Sequence, residues 1–351
     1  MIRRLRGRWR EELPATAWRW LLLPGWLVFR PAVALRNALF DAGWRHPTHL
    51  PVPVWSVGNL TAGGTGKTPL TRHLARWAIE KGLRPAIVSR GYRAEPGGAN
   101  DEARTVSECP VICDADRVAG GRRALADGAT CLILDDGFQH RRLHRDLDLV
   151  LIDATRPWGA DDDSAGATLP LGYLREGRAA LARATALVLT RGALVQPQAL
   201  TALRQELATA GKPLIEVEDH QARLRPLAGG ETQHVGALAG RAVVLVSGLG
   251  NPLGFERTAV VHGWTVAASL RWPDHHHYDV ADVEIIRQAM REHDAVVVMT
   301  GKDAVKLATL VPPQDAVAMH VLEVDSRIRE ADRAMLDRLL SATLTVKAKQ
   351  P

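Results

Sequence analysis

Cysteine is scarce in this chain: its 351 residues hold three, Cys109, Cys113 and Cys131. They form no C-x-x-C pair and an odd number cannot all be bridged, which excludes a secreted disulfide scaffold and fits a reducing cytosol. Long hydrophobic runs are also missing. The apolar segment Trp20–Phe29 has ten uncharged residues between Arg19 and Arg30 and is interrupted by Pro24-Gly25, whereas a spanning helix needs about 20. No cleavable signal peptide is expected. There is no internal repeat and no low-complexity tract, so solenoids and fibrous architectures fall away. What is present, 46% hydrophobic residues over this length, suffices for about two packed domains.

Lysine is absent from residues 1–45, which carry nine Arg against Glu11, Glu12 and Asp41, a surplus of +6 equal to the formal charge of the whole chain. The remainder is neutral. Six of the ten Trp (9, 18, 20, 26, 44 and 55) lie in or beside this stretch. Arg interleaved with Trp suits a membrane interface, so residues 1–45 are read as a helical segment lying on, or dipping into, an anionic leaflet without crossing it. A helical hairpin packed on the body is the plainer alternative. A nucleic-acid arm fits less well, because the excess charge is confined to one apolar segment and does not line a groove.

Beyond this segment, apolar runs of strand length (52–57, 86–89, 131–134, 147–152 and 186–190) alternate with helical patterns. Continuous apolar strands separated by helices predict a parallel sheet sandwiched by helices. Residues 46–211 are therefore expected to form one α/β domain. Residues 212–237, broken by Pro226 and Gly229-Gly230, are expected to be a linker in the form of a two-stranded ribbon. Residues 238–345 are expected to be a smaller α/β domain ending in a helix near 330–340.

The stretch V-G-N-L-T-A-G-G-T-G-K-T-P (57–69) joins the first strand to an amphipathic helix predicted over 69–81. Loop glycines let backbone N–H groups turn toward an anion, and the new helix adds its positive end. Thr61, Ala62, Gly63, Gly64, Thr65, Gly66, Lys67 and Thr68 are the candidate nucleotide-binding residues of a P-loop NTPase-like fold. Lys67 would reach the β/γ-phosphates and the Thr68 hydroxyl would ligate Mg²⁺. Thr61 stands where the common motif has Gly. A glycine-rich turn with a chance Lys-Thr is the competing reading.

Asp135 and Asp136 follow the apolar run 131–134, and in an open parallel sheet the C-terminal strand edge is where ligands bind. At least one of them is a candidate Mg²⁺ ligand; a helix N-cap would account for one carboxylate, less readily for two. His140 and His144 have the i, i+4 spacing of zinc ligands, but they lack a third ligand nearby and are interleaved with Arg141, Arg142 and Arg145. A basic loop for an acidic substrate, or plain solvated surface, is the better reading. Asp274-His275-His276-His277-Tyr278 follows a strand of the second domain and could supply an acid or base, or merely cap a helix.

Taken together, these motifs resemble the tetraacyldisaccharide 4'-kinase family, the lipid A 4'-kinases of bacteria with an outer membrane. The resemblance runs from about Leu22 to Leu340. It rests on 57–69 with its Thr61, S-R-G-Y (89–92), D-D-G-F-Q-H-R-R-L-H-R-D (135–146), L-P-L-G-Y-L-R-E (169–176), G-L-G-N-P (248–252), P-D-H-H (273–276) and K-D-A-V-K (302–306). It implies ATP- and Mg²⁺-dependent phosphorylation of the 4'-hydroxyl of a lipid-linked glucosamine disaccharide 1-phosphate at the inner membrane, with a P-loop domain, a ribbon linker and a closing C-terminal domain. It also implies that Asp101 and His275 act together as the base. The loop around Asp101 reads N-D-E-A where the family has G-D-E-P, and Gly177 and Gly301 replace the usual Pro and Glu. Within these motifs Glu176 joins Thr68, Asp135 and Asp136 as a candidate Mg²⁺ ligand, and Arg90, Gln139, His140 and Arg141 are the candidates for binding substrate. The expected partners are the lipid disaccharide 1-phosphate and the anionic inner-membrane surface, with no nucleic acid and no protein partner. A peripheral membrane ATPase switch would use the same P-loop and basic helix, and a P-loop ligase is a further alternative.

Overall fold

A computed structural model describes residues 18–348 apart from 63, 91–108, 160–165, 250 and 274–275. Within the described residues the chain forms two compact units: a first drawn from 18–218 and 326–348, and a second from 219–325.

The described chain opens with α1 (Trp18–Asp41), a helix that continues through Pro24 and Pro31. Then come β1 (Val54–Asn59), α2 (Lys67–Glu80), β2 (Pro85–Ser89), β3 (Val111–Cys113), α3 (Arg117–Ala126), β4 (Cys131–Asp135), β5 (Leu147–Asp153), β6 (Ala186–Thr190) and α4 (Pro197–Ala208). β1 begins only after Pro51 and Pro53, which have no N–H to give a ladder. It therefore runs on to Asn59, two residues past the predicted strand. α2 likewise starts two residues earlier than predicted, because Gly66 in the left-handed region (φ 83°) turns the chain straight into the helix. Pro69 then occupies the first turn, where its missing N–H costs nothing.

In the first unit the strand order is β3-β2-β4-β1-β5-β6-β7, with every pair parallel; β7 is Leu214–Pro226. β1, β2, β4, β5 and β6 are buried at every position, as a sheet covered on both faces requires. One layer packs Leu70, Leu74 and Trp77 of α2 against Trp55, Ile133 and Leu149. The opposite layer includes Phe138, Trp158, Leu203 and Leu207. The order places β1 between β4 and β5, so the C-terminal ends of these strands and of β6 bring Asn59, Asp135, Asp153 and Thr190 to one sheet edge.

Past β7 come β8 (Gln233–His234), β9 (Ala242–Ser247), α5 (Pro252–Val261), β10 (Thr265–Arg271), α6 (Val280–His293), β11 (Val296–Thr300), α7 (Gly301–Leu307), α8 (Pro313–Ala316), β12 (Met319–Ile328) and α9 (Glu330–Ala348). The expected ribbon is the antiparallel pair β7–β8, with Arg223 opposite His234 and Leu224 opposite Gln233, turned through Gly229 and Gly230 at positive φ. The second unit carries the parallel order β10-β9-β11-β12.

The last helix departs from its expected place. α9 belongs to the first unit: Leu336 and Leu340 are buried in the cluster of Trp55 and Trp77, each contributing about 1.5–3 kcal/mol by burial. The two indole N–H groups donate to Thr343 Oγ1 and Asp337 Oδ1, both at 2.9 Å. A Trp buried at the sheet needs a polar partner as well as apolar cover, and α9 supplies both.

Candidate active site

Two close approaches hold the end of β4 against β1. A Cβ on Gly58 would lie 2.6 Å from Phe138 Cβ, and one on Gly137 would lie 2.6 Å from Leu134 Cβ and 2.8 Å from Ser56 Oγ. Only glycine fits at either position. Through this contact Asp135, at the end of β4 and paired in register with Val57, and Asp136 (φ 57°) are carried to the loop that follows β1.

Lys67, the first residue of α2, points its ammonium back to the sheet edge. Its Nζ donates to Asn59 Oδ1 at 3.3 Å and pairs with Asp136 Oδ1 at 3.5 Å. Asn59 is buried and oriented by its own amide, which donates to Thr61 O at 2.8 Å. Arg175 Nη1 donates to Asp136 Oδ2 at 2.6 Å and to Gln139 Oε1 at 3.4 Å. Gln139 Nε2 closes the ring by donating to Asn59 O at 2.9 Å. Burial alone would raise the Asp136 carboxyl, but the charges of Lys67 and Arg175 outweigh it and hold the pKa down at about 2. Two cations and one carboxylate thus meet where α2 begins, an arrangement that favours an incoming anion.

The segment around Arg175 is itself fastened to the loop. Ala62 N donates to Tyr173 O at 2.7 Å and Arg175 N to Leu60 O at 2.8 Å. Next to Arg175, the buried Glu176 accepts from Asn37 Nδ2 at 2.6 Å, Arg183 Nη2 at 2.8 Å and Arg36 Nη2 at 3.4 Å. The last turns of α1 therefore reach the site through this carboxylate.

Of the residues expected from sequence, Thr61, Ala62, Gly64, Thr65, Gly66, Lys67 and Thr68 line the turn from β1 into α2, and Asp135, Asp136 and Gln139 stand at the same edge. Thr65 is buried and its hydroxyl has no hydrogen-bond partner among the described residues. Arg141, an expected substrate ligand, is tied to α1: it donates to Asn37 O at 3.1 Å and Asp41 Oδ1 at 2.6 Å, and lies over the Phe40 ring. His140 is kept neutral by burial and by the neighbouring Arg117, its pKa lowered to about 4. His144 stacks on His49 with ring centroids 4.1 Å apart. Arg90 is exposed just past β2. Gly63, Asp101 and His275 lie outside the described residues. Asn59 and Arg175 were missed as site residues although both sit inside quoted motifs. Their signal was positional: one ends the strand before the loop, the other follows the segment that pairs with it.

Residues 18–344 match the family described as LpxK, tetraacyldisaccharide-1-P 4'-kinase. The chain belongs to this family. It is 39% identical over 364 residues to the tetraacyldisaccharide 4'-kinase of Anaeromyxobacter sp. (strain K), covering 95% of this chain and 94% of that one. To that of Syntrophus aciditrophicus (strain SB) it is 35% identical, covering 86% and 87%. Among solved structures, LpxK from Aquifex aeolicus, described as an "apo" form in complex with ATP, superposes with a TM-score of 0.67 at 29% identity, over 93% of this chain and 99% of that one. The chain is accordingly a kinase acting on a hydroxyl group in lipid A biosynthesis, with the P-loop-type α/β fold. A switch without a phosphorylated product is not favoured.

Proposed function

We propose that the enzyme transfers the γ-phosphoryl group of ATP to the 4'-hydroxyl of a tetraacyldisaccharide 1-phosphate at the cytoplasmic face of the inner membrane. The observation that carries the site assignment is the Lys67–Asp136–Arg175 cluster at the start of α2. In the transfer, the hydroxyl oxygen forms a bond to the γ-phosphorus, the bond to the β,γ-bridging oxygen breaks, ADP leaves and the hydroxyl proton passes to a base. Residues 61–68 cradle the phosphates by backbone N–H groups, and Lys67 neutralises charge on the transferring group.

The donor set at this edge fits Mg²⁺, a hard cation that takes oxygen ligands and keeps several waters. Thr68 and Asp135, oxygen donors at this edge, would hold the ion, while Asp136 pairs with Lys67 and Arg175. The buried Thr65 hydroxyl, unpartnered among the described residues, leaves a polar position for a phosphate oxygen. Bound Mg²⁺ would supply neutralisation of the phosphate charge. Glu176, with its oxygens on Asn37, Arg36 and Arg183, is assigned to positioning Arg175. Arg90, Gln139 and His140 remain the candidates on the substrate side.

For the base we assign Asp101 and His275, whose side chains are both able to accept the hydroxyl proton at neutral pH. Each alanine variant should lower kcat by about 10²-fold or more, and the double variant should be little worse than the worse single, since residues acting as a unit are not additive. Losses that multiply would sink the pair.

α1 places the enzyme on the membrane. None of its described side chains is buried, and Leu21, Leu27, Val28 and Leu35 are exposed. Among the described residues no helix is long and apolar enough to cross a bilayer. The decisive experiment is incubation with γ-labelled ATP, Mg²⁺ and the lipid disaccharide 1-phosphate. Label in the lipid fraction is expected, while release of label only as inorganic phosphate would overturn the acceptor assignment.

A further inference from the structure

The end of β6, T-R-G-A (190–193), lies outside the sequence motifs of the site, yet it reaches the loop 61–68 from two strands away. Thr190 Oγ1 donates to Thr65 O at 3.2 Å, sharing its proton with Ile152 O at 3.4 Å. Arg191 Nη1 donates to Gly64 O at 3.1 Å and also pairs with Asp153 Oδ2. Asp153, buried at the end of β5, is in turn held by Thr155, whose N–H and hydroxyl donate to its other oxygen at 3.0 and 2.6 Å. Arg191 itself sits in the left-handed region at φ 57° and ψ 29°, a conformation disfavoured for any residue with a Cβ. Gly192 stands next in the chain and would take that conformation freely, so the strain falls where the guanidinium is needed.

The consequence follows from the geometry of the peptide. A trans peptide is planar, with its C=O and N–H pointing in opposite directions. The carbonyl of Gly64 shares its peptide with the N–H of Thr65, and the carbonyl of Thr65 shares its peptide with the N–H of Gly66. Holding two successive carbonyls on β6 therefore aims two successive N–H groups to the other side of the loop. Successive N–H groups aimed alike make an anion-binding concavity.

We propose that Arg191 and Thr190, with Asp153 behind Arg191, are positioning residues that preset the phosphate-binding N–H groups of Thr65 and Gly66. The proposal rests on reading residues 61–68 as the phosphate cradle. Without the brace the loop would have to order itself on each nucleotide, so the loss should fall on nucleotide binding and spare the lipid.

The test is steady-state kinetics with both substrates varied, together with thermal melting, for Arg191→Ala, Arg191→Lys, Thr190→Val and Lys67→Ala. Losing a hydrogen bond made by a charged donor corresponds to roughly a tenfold rise in KM for ATP in Arg191→Ala. KM for the lipid should stay within about twofold; Arg191→Ala leaves the buried Asp153 carboxylate without this cation and lowers the melting temperature, whereas Thr190→Val keeps it near that of wild type. Arg191→Lys, which keeps a cationic donor between Asp153 and Gly64, should recover most of the loss. Thr190→Val keeps the branched shape and removes only the hydroxyl; a rise of about threefold in KM for ATP is expected, and this arm stands if Arg191→Ala folds poorly. The brace is overturned if both variants keep wild-type KM for ATP while Lys67→Ala is inactive. It is equally overturned if the losses are the same for both substrates and track the melting temperature. Normal turnover in Lys67→Ala would bring down the phosphate-cradle reading, and the brace with it.

Discussion

Lys67 shows how much one side chain carries. Phosphoryl transfer is mainly positioning and charge neutralisation, and Lys67 is the cation at the first residue of α2, held between Asn59 and Asp136. Lys67→Ala should lower kcat by at least about 10²-fold, the scale for losing one preorganised electrostatic partner; single-turnover rates at saturating ATP measure it, and a loss below threefold would refute the assignment. His140 carries a pH prediction. Its folded pKa of about 4 lies below the ordinary 6.5, so between these values the unfolded chain binds the extra proton and stability rises with pH. Its contribution is full above pH 6.5 and is lost as pH falls toward 4. Melting curves across this window should be flatter for His140→Gln than for wild type; identical slopes would show that the imidazole does not titrate against folding. That Lys67, Thr68 and the aspartate pair share one sheet edge was legible in the sequence, because each candidate chemistry demands a fixed residue type at a fixed distance from a strand end. Asn59 and Arg175 carried only a positional signal and Arg191 none, since its place depends on which strands lie side by side, a long-range fact that spacing does not encode.

Helix α1 has two ends with different surroundings. Toward its start, Leu21, Leu27 and Val28 are exposed; at its close, Arg36, Asn37 and Asp41 engage Glu176 and Arg141. Each Arg near an anionic leaflet adds about 1 kcal/mol to attachment, beyond the burial of apolar side chains. Deleting residues 1–30 should therefore weaken flotation with anionic vesicles while the thermal shift produced by ATP survives. Attachment that resists salt and the deletion alike would place the membrane contact elsewhere. Asn37→Leu should do the reverse, leaving flotation intact and lowering kcat by up to about tenfold through Glu176 and Arg175. The apolar run and its flanking arginines are what the proposed membrane contact rests on. The contact with Glu176 was hidden, because a polar pair at the end of a helix is ordinary until its partner, 139 residues from Asn37, is known.

Within the described residues the chain passes between its two units at Glu218/Asp219 and at Asp325/Ser326. Alternating strand and helix patterns announced two α/β units and the ribbon, but periodicity has no means of assigning a helix to a unit, and α9 returned to the first. What draws it back is local: Trp55 and Trp77 need cover, and a polar network lies beside both crossings. Arg204 donates through Nε and Nη2 to the two oxygens of Glu216, each at 2.7 Å. Glu216 N donates to Asp332 Oδ2 at 2.9 Å, and Arg329 donates to both Asp332 oxygens at 3.1 and 3.2 Å. Asp332 is buried in the first turn of α9. Removing it would strand a buried backbone N–H in β7 and leave Arg329 without this partner, whereas the exposed side of the network would lose little. Asp332→Ala should thus cost about 2–3 kcal/mol, and Asp332→Asn, which keeps an acceptor for Glu216 N, about 1 kcal/mol. Urea unfolding followed by tryptophan fluorescence reads both as a lower midpoint at constant slope. Equal losses for the two variants would mean that the charge on Asp332, and not the acceptor it offers to β7, holds the returning helix in place.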